Sequence, residues 1–345
     1  PANNHPWASM SSLRWRREVK AVLAQVIAEF RRTGLSKRIV GVHLSGFHDS
    51  QFSTSEYPDY SPCALASYRR RVGDPTAEIP SYPDDPDAVF DRTKDRARIA
   101  WQDFIHREPC RVLNDIARHV KACFGKPIVA SRWCFGAFTG QHSSSYDIGE
   151  FTESDALDIL VAQPFYGYRA PAVPLACKIP LASFRAHGKL FVNEFDFRTY
   201  NAFDSCMWSE VSCMGLGCLT DFPAWESGYR RAAGQMFAQR MGYWFLDMGG
   251  GWYDDADIAR DVGQSLAVGL DLLSADFGAW RPTAAVVIDE RDVFRRNLLR
   301  PLSGRAHVWR ANGAADINDH LPKFAGSGGA IVMDEDNCMV DVAKF

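Results

Sequence analysis

Lys189-Leu190-Phe191-Val192-Asn193-Glu194-Phe195-Asp196-Phe197-Arg198-Thr199 changes character part-way: a short apolar run preceded by His187-Gly188 passes at once into a charged cluster. The run reads as a short buried strand. In enzymes built on parallel strands the chemistry sits at the carboxyl ends, so a Glu one residue past the apolar run points into a cleft. Glu194 is therefore the first catalytic candidate. The rival reading is a carboxylate held by Arg198 in a structural ion pair.

Working outward, the same order of helix and then strand repeats on both sides. From Leu13 the apolar positions Trp15, Val19, Val22, Val26, Ile27 and Phe30 recur at steps of three and four, which predicts an amphipathic helix ending near Gly34. Residues 38–44 form the next strand, running into the polar and aromatic loop Ser45-Gly46-Phe47-His48-Asp49-Ser50-Gln51-Phe52. Ser61 caps a helix with Pro62 at its first position, 73–90 is a Pro-rich loop, and 92–124 is a long helix. Strands follow at 127–133 and 156–162, delivering Trp133 from one carboxyl end and Gln163, Tyr166 and Tyr168 from the other.

Beyond Glu194, residues 225–240 read as a helix and 241–247 as a strand. That strand ends in Asp247-Met248-Gly249-Gly250-Gly251-Trp252-Tyr253, where the glycines permit a tight turn. Trp252 is either a platform for a sugar face or a buried ring beside the turn. Five strands between 38 and 247 with helical returns are most of a (β/α)8 TIM-type barrel and too few to close one. After a helix through about 254–278, Ala284 to Glu290 opens a second, smaller α/β unit, with 329–333 as its second strand. The boundary falls near Trp280-Arg281-Pro282, giving a partial barrel over 1–280 and a further domain over 281–345.

The 345 residues are 46% hydrophobic, with formal net charge -3. That balance lacks the basic stripe a nucleic-acid partner requires and suits a neutral substrate such as a sugar. The nine cysteines are scattered, without CxxC pairs or metal-ligand spacing, as in a reducing, cytoplasmic setting. No apolar run spans a bilayer, so no membrane partner is expected. Neither a cofactor nor a metal is expected.

Val40 to Leu44 with its loop, Asn193 to Thr199, Trp244 to Tyr253, and Val286 to Glu290 together resemble glycoside hydrolase family 42, a beta-galactosidase-like group of the retaining (β/α)8 clan. The resemblance covers roughly residues 10–300. It implies a barrel followed by an α/β domain that supports trimers, hence a homo-oligomer, and a nucleophilic Glu ending the seventh strand. Counted back from the second-domain boundary, that Glu is Glu194. Strands one to three would then precede Pro1, so the sequence is expected to be incomplete at its start.

The clan's acid/base is a Glu after the fourth strand, and Gln51 stands at the corresponding position. Gln cannot exchange the catalytic proton. Asp49 is then the leading candidate for that role and Glu56 the second. A retaining mechanism needs the two carboxyls about 5–5.5 Å apart. On this reading Asp196 and Arg198 orient Glu194, Asn193 bonds the sugar 2-hydroxyl, and His48, Gln51, Trp133, Tyr166, Asp247 and Trp252 complete the carbohydrate site. The alternative is a catalytically impaired carbohydrate-binding or assembly protein that keeps the barrel. Gln51 favours that alternative; the retention of Glu194, Asp196 and Arg198 opposes it.

Overall fold

The computed structural model describes residues 8–46, 59–83, 85, 88–131, 146–164, 179–202, 219–247, 250–275, 290–295, 331–333 and 339–341. Among them helices and strands alternate: α1 (Leu13–Arg32), β1 (Val42–Leu44), α2 (Pro62–Val72), α3 (Arg96–Phe124), β2 (Ile128–Ser131), α4 (Ile148–Thr152) and β3 (Ile159–Ala162). There follow α5 (Leu181–Ala186), β4 (Leu190–Phe195), α6 (Phe222–Ala238), β5 (Gly242–Phe245), α7 (Ala256–Ser274), β6 (Ile331–Met333) and β7 (Met339–Asp341). A 3-10 turn spans Leu35–Lys37 and another Glu290–Arg295. The fold is mixed α/β, with a five-stranded sheet ordered β1-β2-β3-β4-β5. Parallel pairing matches Val42 with Ile128, Val129 with Ile159, and Glu194 with Trp244.

The chain divides into two compact units, each discontinuous in sequence. Pro1–Val161, Ala182–Leu190 and Asp289–Leu302 form the first; Ala162–Leu181, Phe191–Ile288 and Ser303–Phe345 form the second. The sequence boundary expected near Trp280-Arg281-Pro282 lies outside the described residues, as does most of the strand expected over 284–290. The strand expected near 329–333 is present as β6 and pairs antiparallel with β7.

In the first unit the local signals act as written. Ser12 accepts from the Trp15 amide at the start of α1, and Ser61 accepts from the Ala64 amide at 3.2 Å with Pro62 opening α2. Gly73 and Gly125 end α2 and α3 at φ of 70°, a left-handed turn that costs little only for glycine. The buried face of α3 holds Trp101, Phe104, Ile105, Val112, Leu113, Ile116 and Val120. Trp101 stacks on Tyr60 and meets Tyr68 edge-on.

The apolar stripe of α1 behaves differently. Only Ile27 is fully buried, and Val22 and Val26 are exposed. Polar contacts dock this helix on α3 instead. Arg16 reaches the buried Glu108 at 2.6 Å, where Ser11 and Ser67 also donate, and Lys20 reaches Asp115 at 2.6 Å. The 3-10 turn at 290–295 lies against α3 through Gln102, which donates to the Phe294 carbonyl at 2.7 Å.

In the second unit α6 opens on Asp221, which accepts from the Ala224 amide, and α7 opens on Asp255, which accepts from the Asp257 and Ile258 amides. Gly269 of α7 admits the Phe237 ring of α6, since a Cβ there would fall 2.5 Å from it. No helix among the described residues is long and apolar enough to cross a membrane.

Candidate active site

Glu194 is the penultimate residue of β4 and is 8% exposed. Its neighbours in sequence are buried as well, including the charged Asp196 at 2% and Arg198 at 3%. Two carboxylates and one guanidinium thus enter the protein interior within five residues. Side chains alternate along a strand, so Asn193 and Glu194 stand on opposite faces of β4.

The register with β5 identifies those faces. Val192 shares its face with Gly242, whose Cβ would lie 3.3 Å from Val192 Cγ2; Glu194 and its partner Trp244 continue that face. On the other face Phe195 stacks on Tyr243 at 4.7 Å, and Tyr229 of α6 packs against Phe195, Tyr243 and Phe245. Helix α6 therefore covers the Asn193 and Phe195 side, leaving Glu194 and Trp244 on the face away from it. Trp244 is 40% exposed, an indole left open beside a nearly buried carboxylate.

The segments after β4 and β5 are tied together. Leu246 donates its amide to the Phe195 carbonyl at 3.0 Å, and the Tyr253 hydroxyl lies 2.9 Å from the Phe195 carbonyl, 3.1 Å from that of Phe197 and 3.3 Å from that of Leu246. Thr199 donates to the Trp252 carbonyl. Asp247 accepts the Gly250 amide at 2.6 Å and the Trp252 amide at 2.9 Å, which shapes the turn where Gly250 and Gly251 adopt φ near 80°. Trp252 is fully buried, with the Arg198 guanidinium over its ring at 5.3 Å.

Of the residues singled out from sequence, the structure thus brings Asn193, Glu194, Asp196, Arg198, Asp247 and Trp252 into the second unit around the ends of β4 and β5. Asp247 builds the turn, and Trp252 offers its ring to Arg198. Arg198 forms no ion pair among the described residues, which is the contact the structural reading of Glu194 needs; its Nε and Nη1 make no hydrogen bond. Asn193 is fully buried with both amide atoms unbonded. Asp49, Gln51, His48, Trp133 and Tyr166 lie outside the described residues, and so does Glu56.

Trp244 and Tyr253 were not singled out as site residues. Tyr-Trp-Phe at 243–245 carried the signal for Trp244: the two outer rings share one face, which commits the middle ring to the other. Tyr253 had no such signal, because its role depends on carbonyls of a distant segment. Among the described residues no group of three or more His, Cys, Asp or Glu side chains is placed to hold a metal ion.

No family model, curated protein or solved structure matches the chain.

Proposed function

We propose that this chain is a retaining glycoside hydrolase built on a (β/α)8-type barrel, with Glu194 as its nucleophile. The observation that carries the reading is the pairing of Glu194 with Trp244: a carboxylate near the carboxyl end of a parallel strand, beside an open aromatic face. Parallel α/β enzymes place their chemistry at that end, and rings of this kind stack on the apolar faces of sugars. The carbohydrate substrate would lie against Trp244 with its anomeric carbon toward Glu194. The Glu194 oxygen bonds to that carbon as the glycosidic C–O bond breaks, and the leaving oxygen takes a proton from Asp49. Water, losing a proton to the Asp49 carboxylate, then displaces Glu194.

The fold suits this use. The frame of Tyr253, Thr199 and Asp247 holds the strand ends still, and fixed geometry is what turns a carboxylate into an effective nucleophile. We take the protein to work without a cofactor as a cytoplasmic homo-oligomer.

The test uses an activated 2-deoxy-2-fluoro aryl glycoside, whose good leaving group needs little acid assistance. A mass increase equal to the fluorosugar should appear on the peptide containing Glu194 and be absent from Glu194→Gln. Adduct on another residue, or unchanged turnover of the aryl glycoside by Glu194→Gln, would sink the assignment. Gln51 favours a second reading, a carbohydrate-binding protein that has lost its proton donor. That reading expects sugar binding to the folded protein with neither adduct nor turnover.

A further inference from the structure

Helix α7 is apolar on two sides. Its inner side is used within the chain: Ile258, Asp261 and Gly269 are buried, and Gly269 leaves the space that the Phe237 ring of α6 fills. On its outer side Ala259, Gly263, Leu266, Leu270 and Leu273 follow at steps of four, three, four and three, the spacing of a helix-packing seam, and all five are exposed. Leu270 keeps 67% of its surface open, Leu273 65% and Leu266 47%. From Val262 to Leu270 the helix carries no charged side chain. The outward side of a surface helix is normally its polar one, and a contiguous apolar strip there marks a contact surface.

Gly263 identifies the kind of contact. A glycine weakens a helix unless its missing side chain is put to use. A Cβ added at Gly263 would meet nothing within 4 Å among the described residues, so the gap serves no packing of the chain itself, in contrast to Gly269. Ala259 and Ala267 lie one turn to either side, and the distance between packed helices is set by the side chains at the crossing. A second helix can therefore approach closely here.

The charges beside the seam say which helix fits. Arg260 and Asp271 flank it on the same side, about three turns apart, and both are exposed. Arg260 also pairs with Asp257 on its own helix at 2.7 Å, with more than half of each side chain open to solvent, where such a pair is worth little. A second copy of α7 laid antiparallel, crossing between Gly263 and Ala267, sets each Arg260 opposite the Asp271 of the other copy. The face is thus complementary to itself, as a twofold contact requires.

We propose that the outer face of α7 is the surface through which two copies of this chain pair, with the helices antiparallel about a twofold axis. The inference rests on the homo-oligomer of the proposed function and gives it a surface; it makes no use of Glu194, so pairing and adduct formation fail independently. Sedimentation velocity of the full chain over a dilution series should show a reversible dimer. Gly263→Leu enters open space within the chain, so its fold should be kept, as checked by circular dichroism, while its pairing weakens at least about 10-fold; Leu270→Glu should do the same. Arg260→Glu alone and Asp271→Lys alone should each pair at least about 10-fold more weakly, because each sets like charges opposite one another. An equimolar mixture of the two should recover the parent's affinity, because both contacts of the mixed dimer then join opposite charges. Val22→Glu, at an exposed apolar position of α1, should pair as the parent does. A monomer at every concentration, an assembly other than a dimer, folded Gly263→Leu or Leu270→Glu with parental affinity, or a mixture that pairs no more tightly than its components would each overturn the proposal.

Discussion

Removing the Tyr253 hydroxyl by Tyr253→Phe tests whether the ends of β4 and β5 form one frame. The oxygen faces three carbonyls, at 2.9, 3.1 and 3.3 Å, but it has one proton to give. Summing three bonds would therefore overstate its contribution. One hydrogen bond is worth about 0.5–1.5 kcal/mol net, and leaving a buried acceptor unmatched adds about 1 kcal/mol. The Phe195 carbonyl keeps the Leu246 amide, which limits the second contribution. The ring remains, packed at 4.8 Å on Phe245 and 5.7 Å from Trp225, so no large cavity opens. The expected loss is about 1–2 kcal/mol, read by differential scanning calorimetry as a fall of about 2–6 °C in Tm. On the proposed glycosidase reading, kcat on an aryl glycoside should fall by more than KM rises, because the strand end that carries Glu194 loosens while Trp244 stays in place. A Tm within about 1 °C of the parent would show that water replaces the hydroxyl, and the frame argument would fail.

Two further outcomes follow from the same unit. Burial and the Asp255 carboxylate push the Tyr200 phenol up to about 12, above the ordinary value of 10. A raised folded-state pKa means that its stabilisation is complete below pH about 10 and is lost as pH rises toward 12. Absorbance difference spectra between the parent and Tyr200→Phe should show no Tyr200 phenolate near pH about 11 in the folded protein and a clear one in urea; phenolate at that pH in the folded protein would contradict the burial argument. Asn193→Leu should raise Tm, since it replaces a buried amide that makes no hydrogen bond, by a gain of about 1 kcal/mol; a lower Tm would show that the amide is bonded in solution.

What the sequence made legible is what local rules govern. Ser61 with Pro62, the spaced apolar face of α3, and the short run leading to Glu194 each declare themselves within a few residues, because caps, helical period and strand length are decided by neighbours in the chain. The side of the sheet a residue occupies is decided by register, and register pairs residues about 50 positions apart. That is why Asn193 and Glu194, adjacent in a suggestive motif, separate onto two faces, while Trp244 joins Glu194 from another strand. Asp247 shows the same limit: a carboxylate at a strand end reads as chemistry, yet its oxygens meet the amides of Gly250 and Trp252 and form the turn.

The ends of β4 and β5 carry buried polar atoms that make no hydrogen bond. Buried polar groups in native proteins are nearly always matched, and each exception costs about 1–3 kcal/mol. Asn193 has neither amide atom bonded, and Arg198 leaves Nε and Nη1 unbonded with its guanidinium over the Trp252 ring. Orphaned indole N–H groups at Trp101 and Trp225 are less telling, because each brings a large apolar ring whose burial outweighs one lost donor. Asn193 brings no such compensation. A chain selected only for stability would place an apolar residue there, and because Asn193 faces α6 rather than the Glu194 side of the sheet, its unbonded amide is a local cost that the Glu194 site does not explain.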